Sequence, residues 1–173
     1  NRKDGLDLLQ MLKDKNYKIS DYRQGPFTDV VMDYDKKFGY FTADGDPAKF
    51  SEGRDYLVPA SIQAPLFLKR KSDKGFFLMI EGSQIDWGGH DNDSQYIISE
   101  MIDFDNAVGA ALDFAKEDGR TLVIVTADHE TGGYAINKGS TRDSIIGRFT
   151  SDSHTASLIP VFAYGPGAEL FSG

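Results

Sequence analysis

The sequence predicts an α/β fold, a layered sheet with helices on both faces, and three observations carry that prediction. FFLMI at 76–80, TLVIVTA at 121–127 and LIPVFAYG at 158–165 are apolar with little alternation, the pattern of strands covered on both sides, as in a parallel sheet. Between the first two runs, Ile97, Met101, Phe104, Val108, Ala111 and Ala115 recur at steps of 4, 3, 4, 3 and 4, the apolar stripe of an amphipathic helix. All three histidines of the chain stand at an end of one of these runs, and open α/β sheets bind ligands at strand ends.

The elements follow in chain order. Leu6, Leu8, Leu9, Met11 and Leu12 predict a short amphipathic helix between Lys3 and Asn16, and YKISDY after it predicts a strand. Gly25 to Asp35 gives no clear periodicity. KFGYFTADGD reads as a strand running into a turn rich in Asp and Gly. A helix is predicted between Pro59 and Lys71, kinked or shortened by Pro65. The strand at Phe76–Ile80 gives way to a polar loop from Gly82 to Ser94. The long helix follows and ends at Asp118-Gly119; TLVIVTA and LIPVFAYG are further strands. Repeats, low-complexity tracts and Pro/Ser linkers are absent from the sequence, so residues 1–173 read as one domain or a portion of one.

Composition narrows the function. The 173 residues are 40% hydrophobic and 27% charged with a net charge of −8, which argues against a nucleic-acid or anionic-membrane surface. An anionic substrate fits that charge only where bound cations reverse the local field. With no cysteine there is neither a thiolate nucleophile nor a Cys-ligated metal. No apolar stretch approaches the 18 residues of a membrane span. The N-terminus has neither an initiator Met nor a signal-like apolar stretch, and is expected to be processed or part of a longer chain.

Chemistry collects around the histidines. Asp86 and His90 lie four residues apart, Asp128 and His129 are adjacent, and Glu81 closes the first apolar run. Singly each has a plainer explanation. Short Asp/His pairs are common, Glu81 and Asp128 suit capping or turns after a strand, and His154 suits a half-buried strand position. Together they form a carboxylate and imidazole set of the kind that binds Zn²⁺, with carboxylates that also suit Mg²⁺. Gly82, Gly88, Gly89, Gly132 and Gly133 flank the candidates, where tight turns are expected.

FFLMIEGSQIDWGGHDND (76–93), TLVIVTADHETGG (121–133) and HTASLIPVFAYGPGAELFSG (154–173) resemble the metal-binding motifs of the alkaline phosphatase family, and YIISEMIDFDNAVGAALDFA (96–115) is also similar to it. The similarity covers most of 75–173, in the family's order, and extends more weakly back to Phe38. It implies an alkaline-phosphatase-like α/β domain with two zinc ions and one magnesium. Asp86, His90 and His154 correspond to ligands of the first zinc, Asp128 and His129 to ligands of the second, and Glu81 to the magnesium ligand. Trp87 falls where family members differ; it is either a substrate-binding residue or a loop aromatic on the rim. The roles of Asp91 and Asp93, beside His90, stay open between support for the ligands and simple solvation.

The chemistry implied is hydrolysis of small phosphate monoesters through a phosphoserine intermediate, with the two metals flanking an in-line displacement. The resemblance further implies a homodimer located outside the cytoplasm, periplasmic or secreted. The family's nucleophile lies in an Asp-Ser segment followed by small residues, which Asp93-Ser94, Asp143-Ser144 and Asp152-Ser153 do not match. The chain is therefore expected to be the C-terminal part of a single such domain, binding about one zinc and inactive alone. Its incomplete sheet should leave an apolar edge exposed. Rival readings are another metal-dependent phosphoesterase or phosphomutase of the same superfamily, and a catalytically silent metal-binding module.

Overall fold

The computed structural model describes residues 3–172; residues 1, 2 and 173 of the expected domain lie outside the described set. Helix α1 (Leu8–Asp14) is capped by Asp7, whose carboxylate accepts from the Gln10 amide at 3.0 Å. Strands β1 (Tyr17–Asp21) and β2 (Lys37–Phe41) pair in parallel, from Tyr17↔Lys37 to Asp21↔Phe41. These are the helix and the two strands expected from the sequence. The aperiodic stretch between the strands forms a 3-10 turn, Phe27–Asp29, that buries Phe27 edge-on against Tyr40 at 5.3 Å.

Helix α2 (Leu57–Lys69) continues through Pro65, which is buried. The missing Pro65 N–H removes one helical bond but does not end the helix, because residues on both sides pack against later elements. The expected polar loop at 82–94 instead contains helix α3 (Gln84–His90), and helix α4 (Ser94–Asp118) follows almost at once. Asp93 separates them as the N-cap of α4, accepting from the Gln95 and Tyr96 amides at 2.9 and 3.1 Å. That is its structural role. Gly119, at φ +68°, closes α4 as expected.

The α4 stripe is displaced from the predicted one. Its fully buried positions are Tyr96, Ile97, Glu100, Asp103, Ala107 and Ala115, while Met101 is 47% exposed. The reason is Arg54. Its guanidinium donates to Glu100 at 2.6 Å and Asp103 at 2.7 Å, with all three side chains at most 5% exposed. The Phe50 amide adds a 2.8 Å bond to the other Glu100 oxygen. A paired charge cluster can occupy an interface that an apolar-stripe reading reserves for hydrocarbon.

The chain then forms β3 (Val123–Val125), β4 (Glu130–Thr131), β5 (Ala135–Ile136), β6 (Gly147–Arg148), β7 (His154–Thr155) and β8 (Phe162–Tyr164). β5 pairs with β6, β4 with β7 and β3 with β8, all antiparallel. The second and third apolar runs are thus strands, but antiparallel ones, contrary to the parallel pairing expected. The path between them is nested hairpins with no helical crossover, and such a path returns antiparallel.

The first apolar run differs more. Residues 76–80 pair with no strand among the described residues. Phe76 packs on Phe114 of α4, with ring centroids 6.0 Å apart, whereas Phe77 and Met79 are 88% and 74% exposed. α4 covers one side of this extended segment, and no described element covers the other. Ile124, Phe162 and Tyr164 of the β3–β8 pair are also exposed.

Candidate metal centre

α3 places the first pair of ligand candidates. Residues four apart share a helix face, so Asp86 and His90 both point toward the β4–β7 ladder. The buried Gln84 anchors the start of α3: its amide donates to the Pro47 carbonyl at 2.9 Å, and its oxygen accepts the Tyr96 hydroxyl at 2.8 Å. Burial, and then the Glu100 carboxylate, push Tyr96 up to about 12.

Two glycines inside a seven-residue helix oppose helix propensity by roughly 1 kcal/mol each; packing explains them. A Cβ at 88 would lie 2.9 Å from the Ile97 amide nitrogen, and one at 89 would lie 2.7 Å from the Thr131 carbonyl oxygen. Gly88 and Gly89 therefore permit close approach rather than the expected turns, as does Gly82, which lies under the Phe104 ring. Gly132 and Gly133, at φ +90° and +59°, do make the expected turn.

β4 and β7 bring the other two histidines to the same place. Their register, Glu130↔Thr155 and Thr131↔His154, sets His129 over His154 with ring centroids 3.6 Å apart and planes 19° from parallel. Nε2 of His90 lies 3.2 Å from Nε2 of His154, and each lies 3.6 Å from Oδ1 of Asp86. Donor atoms of Asp86, His129 and His154 all fall within 4.8 Å of one another. All three histidines thus converge around Asp86. Asp128 stands beside His129, Oδ2 to Nε2 at 3.2 Å, but is 87% exposed. Glu81 is exposed and reaches none of the other candidates, and Trp87 is half-buried in α3.

The hydrogen bonds around the rings fix which nitrogens face the cluster. His90 Nδ1 donates to the Asp152 carbonyl at 2.6 Å, which puts the lone pair of the neutral ring on Nε2. Thr131 Oγ1 donates to Asp86 Oδ1 at 2.5 Å and lies 3.2 Å from His129 Nδ1. The hydroxyl can therefore accept from His129 while donating to Asp86. Two imidazole nitrogens face each other at 3.2 Å beside a carboxylate, an arrangement that needs a proton or a cation between them to be attractive. This imidazole and carboxylate donor set suits zinc.

Thr131 and Glu130 carry contacts at this site that the sequence reading did not single out, although both lie inside the ADHETGG motif. The Glu130 carboxylate accepts from the Gly133 amide at 3.0 Å, the Tyr134 amide at 3.2 Å and the Thr155 hydroxyl. Burial pushes Glu130 up, but the Thr155, Tyr134 and Gly133 bonds outweigh it and the net shift is downward. The Asp-Ser pairs all have local roles. Asp93 caps α4 just ahead of Ser94, Ser144 bridges Thr141 in a turn, and Ser153 Oγ donates to the Asp152 carboxylate.

Comparison with known proteins agrees with this picture. A family model described as alkaline phosphatase matches residues 1–148. Alkaline phosphatase 3 of Bacillus subtilis (strain 168) is 41% identical over 163 residues, covering 93% of this chain and 33% of that protein. Alkaline phosphatase of Escherichia coli (strain K12) is 39% identical over 123 residues, covering 61% of this chain and 26% of that protein. The solved alkaline phosphatase of the Antarctic bacterium TAB5 superposes at a TM-score of 0.83 with 45% identity, over 99% of this chain and 52% of that one. A single-residue mutant of the TAB5 enzyme has magnesium bound in its M3 site. The chain spans about half the length of that solved enzyme and a third of the Bacillus protein.

Proposed function

This chain belongs to the alkaline phosphatase family, and from that premise we infer that it supplies most of the metal-binding wall of a phosphate-monoester hydrolase. Asp86, His90 and His154 would hold the first zinc, His129 and Asp128 the second, and Glu81 a magnesium ion. The convergence of three histidines on Asp86 is the observation that carries this reading. In the whole protein the reaction would pass through a phosphoserine, with the nucleophile supplied from outside these 173 residues. A homodimer outside the cytoplasm belongs to the same proposal and rests on the family alone. Among the described residues, no helix is long and apolar enough to cross a membrane.

Bound at this wall, zinc supplies Lewis-acid polarisation and the positive charge that a dianionic phosphate ester needs. The chain's own residues prepare that role. The Asp152 carbonyl holds the His90 tautomer with Nε2 bare, and Thr131 orients Asp86. The site is open: His90 and His154 side chains are 41% and 50% exposed, so a small ester can approach. With a net charge of −8, cation binding would have to precede attraction of an anionic substrate. Trp87 would then form part of the substrate rim.

The isolated chain fits a second description, a metal-binding module without turnover, because its Asp-Ser pairs are engaged locally and match no nucleophile motif. Elemental analysis of the purified chain, run alongside hydrolysis of a chromogenic phosphate monoester, tests the proposal. About one zinc per chain and no turnover is the expected outcome. Two zincs with turnover would show that a nucleophile is present after all. Failure to bind zinc would overturn the ligand assignment for this chain.

A further inference from the structure

We propose that Glu130 is a positioning residue, whose carboxylate locks β4 to β7 and so holds the His129 ring against His154. This rests on the reading of the site given above and extends it to a residue with no metal-binding role of its own.

One carboxylate serves two structures at once. Within its own strand end it accepts the Gly133 and Tyr134 amides, at 3.0 and 3.2 Å. Consecutive residues at positive φ, Gly132 at +90° and Gly133 at +59°, bring those amides inward as an anion-binding nest. The turn is also tight: a Cβ at 133 would lie 1.8 Å from Thr150 Oγ1, so any side chain there would have to displace the Thr150 hydroxyl. Across the ladder the same carboxylate accepts the Thr155 hydroxyl. Glu130 follows His129 and Thr155 follows His154, so the clamp joins the immediate neighbours of the two stacked rings.

Such a clamp is needed because the ladder is minimal. β4 and β7 are two residues each, and isolated two-stranded pairs are marginal in water. Three further backbone bonds at Gly132 extend the contact, its amide to the Ser153 carbonyl at 3.1 Å and the Thr150 and Ser151 amides to its carbonyl at 3.0 and 3.2 Å. The Glu130 bonds add a side-chain restraint beside the two stacked rings. A carboxylate is required here, because its two oxygens accept three donors at once. An amide would turn one of those acceptors into a donor facing other donors.

The test uses the metal-free 173-residue chain and proton NMR. With three histidines, ring signals can be assigned from single His→Asn variants. The wild-type chain should show a nuclear Overhauser contact between the His129 and His154 rings. In Glu130→Ala that contact should vanish while the amide signals of α4 stay in place, a pattern that general destabilisation would not produce. Zinc affinity, measured by competition with a chromophoric chelator, should fall about 10-fold or more. Persistence of both the ring contact and the affinity in a folded Glu130→Ala chain would overturn the proposal. Should Glu130→Ala fail to fold, Thr155→Val removes the cross-strand bond together with the local Thr155–Ser157 contacts, and Ser157→Ala controls for the latter. Loss of the ring contact in Thr155→Val but not in Ser157→Ala supports the clamp, and retention in Thr155→Val overturns it. A wild-type chain with the ring contact but no zinc binding would defeat the metal reading and leave the clamp standing. Zinc binding with a ring contact indifferent to Glu130 would do the reverse.

Discussion

Thr131 shows how much a single hydroxyl can organise. It donates to Asp86 and stands within hydrogen-bond reach of His129 Nδ1, so it links a residue assigned to the first zinc with one assigned to the second. Partners of metal ligands typically contribute 10- to 100-fold in metal affinity. Thr131→Val keeps the shape and removes the hydroxyl. We expect about a 10-fold loss of zinc affinity with little change in unfolding temperature, measured by chelator competition and calorimetry. Unchanged affinity would mean that the rigidity of α3 alone suffices to orient Asp86.

Helix α4 is held from two directions, and each gives a different prediction. Toward α2 and the segment before it, Arg54 joins Glu100 and Asp103 in a buried cluster. Removing Arg54 leaves two carboxylates without their partner cation in a dry interface. Arg54→Ala should therefore lower stability by about 3–5 kcal/mol, measured by urea unfolding. At its C-terminal end, Asp118 pairs with Lys69 at 2.7 Å and accepts from Thr121 Oγ1 at 2.7 Å. The Lys69 contact first, then the Thr121 bond, hold its carboxyl at about 2, against an unfolded value of about 3.9. A carboxyl depressed on folding contributes stability that is full above its unfolded value and is lost as pH falls through the folded one. The difference in unfolding temperature between wild type and Asp118→Asn should accordingly be constant near neutrality and shrink between about pH 4 and pH 2. A difference that stays constant down to pH 2 would remove the charge from the account.

Taken whole, the chain exposes more hydrocarbon than a self-contained domain normally does. Phe77, Met79 and Leu158 are 88%, 74% and 98% exposed, and the 76–80 segment pairs with no strand among the described residues. α1 buries none of its residues. Large apolar patches and free edges favour association. We expect sedimentation to show self-association at micromolar concentration, stronger at high salt as the repulsion of the −8 net charge is screened. A monomer with a single cooperative melting transition would show that the exposed segments tolerate solvent.

Although α3 lies where a loop was expected and 76–80 is not a strand, the helices α1, α2 and α4, the strands β1, β2, β3 and β8 and the metal-ligand candidates could be read from residue order. Each depends on local periodicity or on a motif of adjacent residues. Strand direction, the pairing of 76–80 and the burial of Glu100 and Asp103 could not. These depend on partners distant in sequence: nested hairpins that return β8 antiparallel to β3, a covering layer absent among the described residues, and Arg54 some 46 positions from Glu100. The ligand set divides the same way. The four-residue spacing of Asp86 and His90 was legible, but it puts them on one face only because 84–90 is helical, and their meeting with His129 and His154 needed the close Gly89–Thr131 approach and the β4–β7 register. Sequence patterns specify which side chains can bind a metal; long-range packing sets the distances between their donor atoms, because those donors lie as far apart in sequence as Asp86 and His154.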